Sequence, residues 1–225
     1  MSKPIKKIGL FLILIIVLPI IFLTYRELSS LNEDEKILEK IYKNQLDVII
    51  FSVNQYSEDV VRSWSFRMQS IIENSQSSKK DFDENLNSFY SENSVIHSMF
   101  ISDSSLAVNK TFIKSENGTI FEKDDWEIKQ ILKNNGKLIS RLYKYKSSGF
   151  TKLEPLNSMN IKGTQAIVFV LDDRRLCGFV IDPRYFVNDV LSGKIQSVAR
   201  EELSVAVFDS VKNVNVYSTE TGIVE

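Results

Sequence analysis

The sequence is poor in the residues that build metal sites, disulfide frameworks and common catalytic sites. Its 225 residues include one cysteine, Cys177, and one histidine, His97. A single cysteine excludes an internal disulfide, and one residue of each kind leaves little from which to build a zinc site or a Cys-His or Ser-His-Asp arrangement. We therefore expect no catalytic residues, no metal and no cofactor in this chain. Whether the protein is an enzyme stays open.

Phosphate-binding glycine motifs and a basic surface are also missing. None of the patterns G-x-G-x-x-G, G-x-x-x-x-G-K-[ST], H-E-x-x-H or G-x-S-x-G occurs. The chain has 28 Lys and Arg against 29 Asp and Glu, which gives a formal net charge of -1. Because nucleic-acid binding needs an excess of positive charge, we expect no nucleic-acid partner.

The chain has one long uncharged run, residues 8–23, which Thr24 and Tyr25 extend up to Arg26. A helix over residues 8–25 is predicted to cross a membrane. Three lysines precede the run and favour a cytoplasmic tail over residues 1–7. They are Lys3, Lys6 and Lys7.

This topology makes the chain a single-pass protein of the inner or cytoplasmic membrane, with residues 26–225 outside the cytoplasm. The alternative is a cleaved secretory signal. The length of the apolar run and the absence of a small-x-small cleavage pattern after it argue against that alternative.

A long helical pattern follows the apolar run. Ser30 and Glu33 have the spacing of a capping box, and neither proline nor glycine occurs from Arg26 to Asn74. We predict a long amphipathic stalk helix over residues 26–75. So long a helix cannot be covered by one small domain, so its first half is expected to pair with a second copy in a homodimer. The alternative is that the helix lies wholly on its own domain.

Residues 76–225 alternate short helices with pairs of β-type runs. Hairpins make an antiparallel sheet, so we predict an α+β domain in which helices flank that sheet. Residues 124–127, DDWE, are predicted to open a helix that stops at Gly136, and Asn117-Gly118 is predicted to be a turn. The end at 223–225, directly after a strand, suggests a truncated domain. The predicted strands are 95–101, 106–112, 166–171, 176–181, 203–208 and 214–217.

Two segments carry a family resemblance. Residues 177–191, CGFVIDPRYFVNDVL, have a strand that ends in Asp182 and runs into a helix; residues 203–209, LSVAVFD, and 216–219, VYST, read as the next hairpin. They resemble the extracytoplasmic Cache and PAS-like sensor domains of bacterial receptors, in particular of membrane-bound sensor histidine kinases. The resemblance implies a periplasmic sensor of a two-component signal transduction system. Kinase activity would then belong to a longer parent protein.

The resemblance also implies a ligand pocket between the sheet face and residues 113–163. That segment holds Trp126, Arg141, Tyr143 and Tyr145, an aromatic and cationic set that suits an anionic or amphipathic small molecule. The alternative is that Trp126 belongs to the core and Arg141 is solvated.

Other polar residues have structural explanations. His97 shares the alternation of a strand and Cys177 lies in an apolar strand, so both are interpreted as sheet residues. Asp182 and Arg184 suit capping and helix-end charge.

The predicted function is a membrane-anchored sensor region that passes a ligand-dependent signal through the long helix and across the membrane. The rival hypothesis is a membrane-anchored structural or assembly protein whose α+β domain binds a protein partner.

Overall fold

The computed structural model describes residues 3–74, 79–106, 108–115, 120–123, 125–156, 163–199, 203–209 and 214–219. The chain divides into two compact units, Met1–Phe51 and Ser52–Glu225. The first helix, α1 (Lys3–Asn74), contributes residues to both units. The predicted turn at Asn117-Gly118 and the predicted truncation at 223–225 lie outside the described residues.

Helix α1 does not contain the predicted membrane span. In the described ranges no helix has a stretch that is both long enough and apolar enough to cross a bilayer. The eighteen residues of the predicted span, 8–25, rise about 27 Å as a helix, whereas bilayer hydrocarbon is about 30 Å thick. The predicted transmembrane helix over 8–25 is therefore wrong. The fold class, the membrane embedding and the single-pass, extracytoplasmic location that included this span are corrected with it.

The second unit is an α+β structure with a six-stranded sheet. The strands lie in the order β3-β2-β1-β6-β5-β4, and every neighbouring pair is antiparallel. The predicted hairpins β1-β2 and β5-β6 are confirmed, and all six residues of β6 are buried. The strands are β1 (Ile96–Ser102), β2 (Val108–Lys114), β3 (Ile120–Lys123), β4 (Glu154–Leu156), β5 (Gln165–Val170) and β6 (Leu176–Ile181).

Helix α2 (Lys79–Glu92) precedes β1 in sequence, and helices α3 (Trp126–Asn134) and α4 (Gly136–Ser147) lie between β3 and β4. The predicted helix start is confirmed with Asp125 as its cap, because the Asp125 carboxylate accepts the backbone N–H of Glu127 at 3.0 Å. The helix was predicted to stop at Gly136, and it does end directly before that residue. Asn135 caps it, since its backbone N–H donates to carbonyls of the last turn, and α4 then begins at Gly136.

The two faces of the sheet are covered by different kinds of side chain. We call the first the aromatic face: here residues 52–74 of α1, helix α2 and the segment after β6 pack on the sheet. We call the second the aliphatic face, where α3 and α4 pack. The rings buried on the aromatic face are Trp64, Phe89, Tyr90, Phe112, Phe169, Phe179 and Phe186. The buried side chains of the aliphatic face are Phe100, Ile128, Ile131, Leu132, Ile139, Leu142, Leu156, Ala166, Val168, Val170, Leu176 and Val180.

The segment after β6 is helical and leads into a separate two-stranded sheet. Asp182 caps its start by accepting the backbone N–H of Arg184 at 2.8 Å, as predicted. Helix α5 (Pro183–Tyr185) passes into a π-helical stretch and then into α6 (Ser192–Ala199). The predicted final hairpin is also confirmed, because β7 (Ala206–Asp209) pairs antiparallel with β8 (Val214–Ser218).

Candidate ligand pocket beside helix α4

The four residues predicted to bind a ligand do not form one cluster. Trp126 is the first residue of α3 and 66% of it is exposed. Arg141 pairs with Glu154 of β4 at 3.3 Å, and the Lys152 ammonium lies 5.2 Å from the centre of the Tyr145 ring. Tyr143, on the same helix, packs against the aliphatic core cluster instead. Their roles as ligand contacts stay predictions.

One of the four predicted residues, Tyr143, lines a pocket. In the part of the chain that the structure describes, its buried hydroxyl has no hydrogen-bond partner. Burial, with a smaller contribution from the charge of Asp103, raises the pKa of Tyr143 to about 12. The hydroxyl therefore stays protonated near neutral pH and retains an unused donor and acceptor. An unsatisfied buried polar group costs free energy that a ligand atom could offset.

The pocket lies where the end of α4 approaches the β5-β6 turn, and it has a volume of about 440 Å³. Gly149, with φ +84, ends α4 in a left-handed conformation that a side chain would disfavour. Its N–H donates to the Lys146 carbonyl at 3.0 Å. The residues that line the pocket are Tyr143, Lys146, Ser147, Gly149, Asp172 and Arg174.

The turn between β5 and β6 supplies the far wall. Arg174 has a positive φ of 65°, and its N–H donates to the Leu171 carbonyl at 3.1 Å, which closes the turn. This conformation keeps Asp172 and Arg174 at the tip of the hairpin, where both line the pocket. A positive φ is uncommon for a residue other than glycine, and residues in this conformation are often found at binding sites.

The charges of the pocket leave one cation in excess. Lys146 forms an ion pair with Asp172. Hydrogen bonds from Lys146 and then Gln69 hold the pKa of the Asp172 carboxyl below its ordinary value. Arg174 is exposed and has no acidic partner among the described residues. A guanidinium and a tyrosine both line the pocket, and such a pair suits an anionic group carrying a further polar atom.

Sequence reasoning missed Lys146, Asp172 and Arg174. The run Asp172-Asp-Arg-Arg175 lies between the predicted strands 166–171 and 176–181, and two acidic and two basic residues at one hairpin tip are an unusual signal. Cys177 is fully buried, and burial raises the pKa of its thiol, so it has a packing role. His97 is exposed on β1.

The fold and the pocket define an α+β domain with an antiparallel sheet and a cationic pocket at one end of it. No protein-family model matches the chain, and no curated protein matches it. One solved structure with some similarity is the Bacillus subtilis YkuI protein, with an EAL domain, in complex with substrate c-di-GMP and calcium. The TM-score is 0.45 at 13% sequence identity, and the match covers 63% of this chain and 35% of that chain. A likeness this low carries no argument about this protein.

Proposed function

We propose that residues 52–225 form the sensory input domain of a signalling protein and bind a small anionic molecule in the pocket beside α4. The observation that carries the proposal is a pocket of about 440 Å³ lined by both Tyr143 and Arg174. Among the described residues the buried Tyr143 hydroxyl has no hydrogen-bond partner and Arg174 has no acidic partner. The resemblance of residues 177–191 to Cache and PAS-like sensors gives independent support. An input domain needs a ligand site and an attached element that can respond, and helix α1 is such an element.

The pocket favours a compact anion over a large apolar ligand. Its walls are mostly polar, because Ser147, Lys146, Asp172 and Arg174 line it together with the Tyr143 ring. The space between the sheet and α3 and α4 is filled by the side chains of the aliphatic face, so a bulky ligand would have to displace core residues there.

The test is isothermal titration of the full chain with acetate, benzoate and inorganic phosphate, each against chloride of equal ionic strength. We expect binding of at least one of these anions, and we expect Arg174→Gln to weaken it about tenfold or more. Arg184→Gln is the matched control, because Arg184 is an exposed arginine outside the pocket. Equal binding by both variants, or no binding of any of the three anions, would contradict the proposal.

One observation favours a second candidate, a domain that binds a protein partner. The β7-β8 hairpin exposes 61% of Phe208 and 50% of Val214. Exposed apolar side chains close together in a hairpin are typical of contact surfaces. If no anion binds and Phe208→Ser leaves the free energy of unfolding unchanged, this candidate becomes the better explanation.

A further inference from the structure

Asp172 connects the pocket to helix α1. Its carboxylate pairs with the ammonium of Lys146 on α4 through Oδ1, and its Oδ2 accepts the side-chain N–H of Gln69 at 2.8 Å. Gln69 lies on α1, and its immediate neighbour Met68 is 2% exposed in the aromatic face. One carboxylate at the tip of the β5-β6 turn therefore joins helices that pack on opposite faces of the sheet.

The two members of the ion pair differ in burial. The Lys146 side chain is 15% exposed, whereas the Asp172 side chain is 68% exposed. The ammonium also donates to Thr151 Oγ1 at 2.8 Å, and among the described residues Asp172 is its one carboxylate partner. A largely buried ammonium needs an anion beside it, because leaving it unpaired is costly. An exposed carboxylate does not, because water solvates it when it is released.

This asymmetry permits an exchange of anions on Lys146. We propose that the anionic group of a ligand in the pocket replaces the Asp172 carboxylate on Lys146 and thereby weakens the hydrogen bond from Gln69 to Asp172. The inference rests on the proposed function, since it describes how ligand binding in the same pocket affects helix α1. Lys146 keeps an anionic partner throughout, and Asp172 turns toward solvent. Helix α1 then loses its polar contact with the sheet turn.

Arg174 assists the exchange because it lines the pocket two residues after Asp172. The guanidinium gives an incoming anion a first partner before Lys146 is available. Two cations then hold one ligand, while the displaced carboxylate competes with it. In this arrangement Asp172 is an internal competitor whose removal should tighten ligand binding.

The first test compares Asp172→Asn with Asp173→Asn by titration with acetate and with inorganic phosphate at constant ionic strength. Asp173 is the matched control: it has the same charge in the same turn but pairs with Arg175, at 2.6 Å, outside the pocket. We expect Asp172→Asn to bind either anion at least about threefold more tightly than the unmodified protein, and Asp173→Asn to bind it equally. Unchanged or weaker binding by Asp172→Asn would overturn the inference.

The second test follows α1 directly by hydrogen exchange of the full chain. In Asp172→Asn without added anion, and in the unmodified protein saturated with the anion that binds, we expect amides near Gln69 to exchange about 3- to 10-fold faster. In Gln69→Leu, added anion should leave this exchange unchanged. Unaltered exchange at Gln69 in Asp172→Asn would overturn the link to α1.

The outcomes separate the two proposals. Binding that depends on Arg174 but is not tightened in Asp172→Asn leaves the pocket in place and removes the exchange. No binding of acetate or phosphate to the unmodified protein or to Asp172→Asn removes both.

Discussion

The two faces of the sheet bury their side chains through different kinds of contact. On the aromatic face, Phe179 at the centre of β6 meets the rings of Trp64, Phe89 and Phe169, with ring centres 5.6 to 6.2 Å apart. On the aliphatic face, Phe100 lies over Gly178, whose missing side chain leaves space for its ring. The first face is held by mutual ring contacts that tie α1 and α2 to the sheet. The second depends on the fit of small and large residues, and the pocket lies on its side.

The difference suggests that the aromatic face is rigid, whereas the end of α4 beside the pocket can rearrange. An interlocked set of rings resists rearrangement, because moving one ring disturbs several others. The end of α4 beside the pocket is held by polar contacts, which can be exchanged at lower cost. Substitutions at matched residues on the two faces should differ in effect if this is so.

The largest loss of stability is expected from Phe179→Ala. Both Phe179 and Phe100 are fully buried, so each truncation removes a similar apolar area. Phe→Ala changes in cores cost about 3–5 kcal/mol, and ring pairs add about 0.5–1.5 kcal/mol. We expect Phe179→Ala to lie near the upper end of this range and Phe100→Ala near the lower end. Urea unfolding with unchanged m-values would measure both; equal losses would refute a special role for the ring contacts.

A smaller loss is expected from Gly178→Ala. A Cβ at this position would lie 2.7 Å from the Ile167 carbonyl oxygen and closer still to the Phe100 ring. The backbone oxygen cannot move freely, so we expect a loss of about 1–3 kcal/mol.

Gly193→Ala serves as the control for this change. A Cβ at Gly193 of α6 would meet nothing within 4 Å. We expect it to stabilise the protein by about 0.5–1 kcal/mol, because alanine favours a helix. If Gly178→Ala were equally harmless, the close fit of the aliphatic face would be disproved.

The third comparison uses two tyrosines. The buried Tyr90 hydroxyl donates to the Phe112 carbonyl at 2.6 Å on the aromatic face, whereas the buried Tyr143 hydroxyl has no partner in the described ranges. Tyr90→Phe should cost about 1–2 kcal/mol, and Tyr143→Phe should be neutral or slightly stabilising. Thermal unfolding of the two variants measures the difference. A clear loss in Tyr143→Phe would mean that its hydroxyl has a structural partner, which would weaken the pocket assignment.

Much of the second unit could be predicted from sequence because its signals are local. The alternating runs of β5 and β6 predicted paired strands, and Asp125 and Asp182 predicted helix starts, because caps depend on residues only a few positions apart. The membrane span over 8–25 was predicted from the apolar run and the lysines before it, but no helix in the described ranges is long and apolar enough to cross a membrane.

The pocket could not be predicted in the same way. Gln69 and Asp172 are 103 residues apart in sequence, and nothing local marks either as a partner of the other. The aromatic and cationic residues of α4 predicted a ligand contact on that helix, and this stays a prediction. Helical geometry then directs Arg141 and Tyr145, four residues apart, to a different side from Tyr143. The sequence pattern therefore identified the helix but not the side of it that faces the pocket.

The smallest effect is expected from the charges that join α1 to α2. The Arg67 guanidinium donates through both terminal nitrogens to the Glu92 carboxylate, and it lies 5.6 Å from the centre of the Phe89 ring. Hydrogen bonds from Arg67, and then from Ser88, lower the pKa of Glu92 to about 2. Because a lowered carboxyl pKa means that folding favours the charged form, this contribution is present above the ordinary value near 4.5 and is lost as the pH falls toward 2.

Glu92→Gln should therefore lower the melting temperature only slightly at neutral pH, and the difference from the unmodified protein should vanish in acid or in high salt, since the pair is exposed. Glu84→Gln, which removes one exposed contact with Lys80 at 3.8 Å on the same helix, controls for the loss of a negative charge. A loss in Glu92→Gln as large as that in Phe179→Ala would mean that charge, and not the ring contacts, holds α1 and α2 to this face. The proposed contrast between the aromatic face, which ring contacts hold together, and the exchangeable polar contacts at the end of α4 would then be wrong.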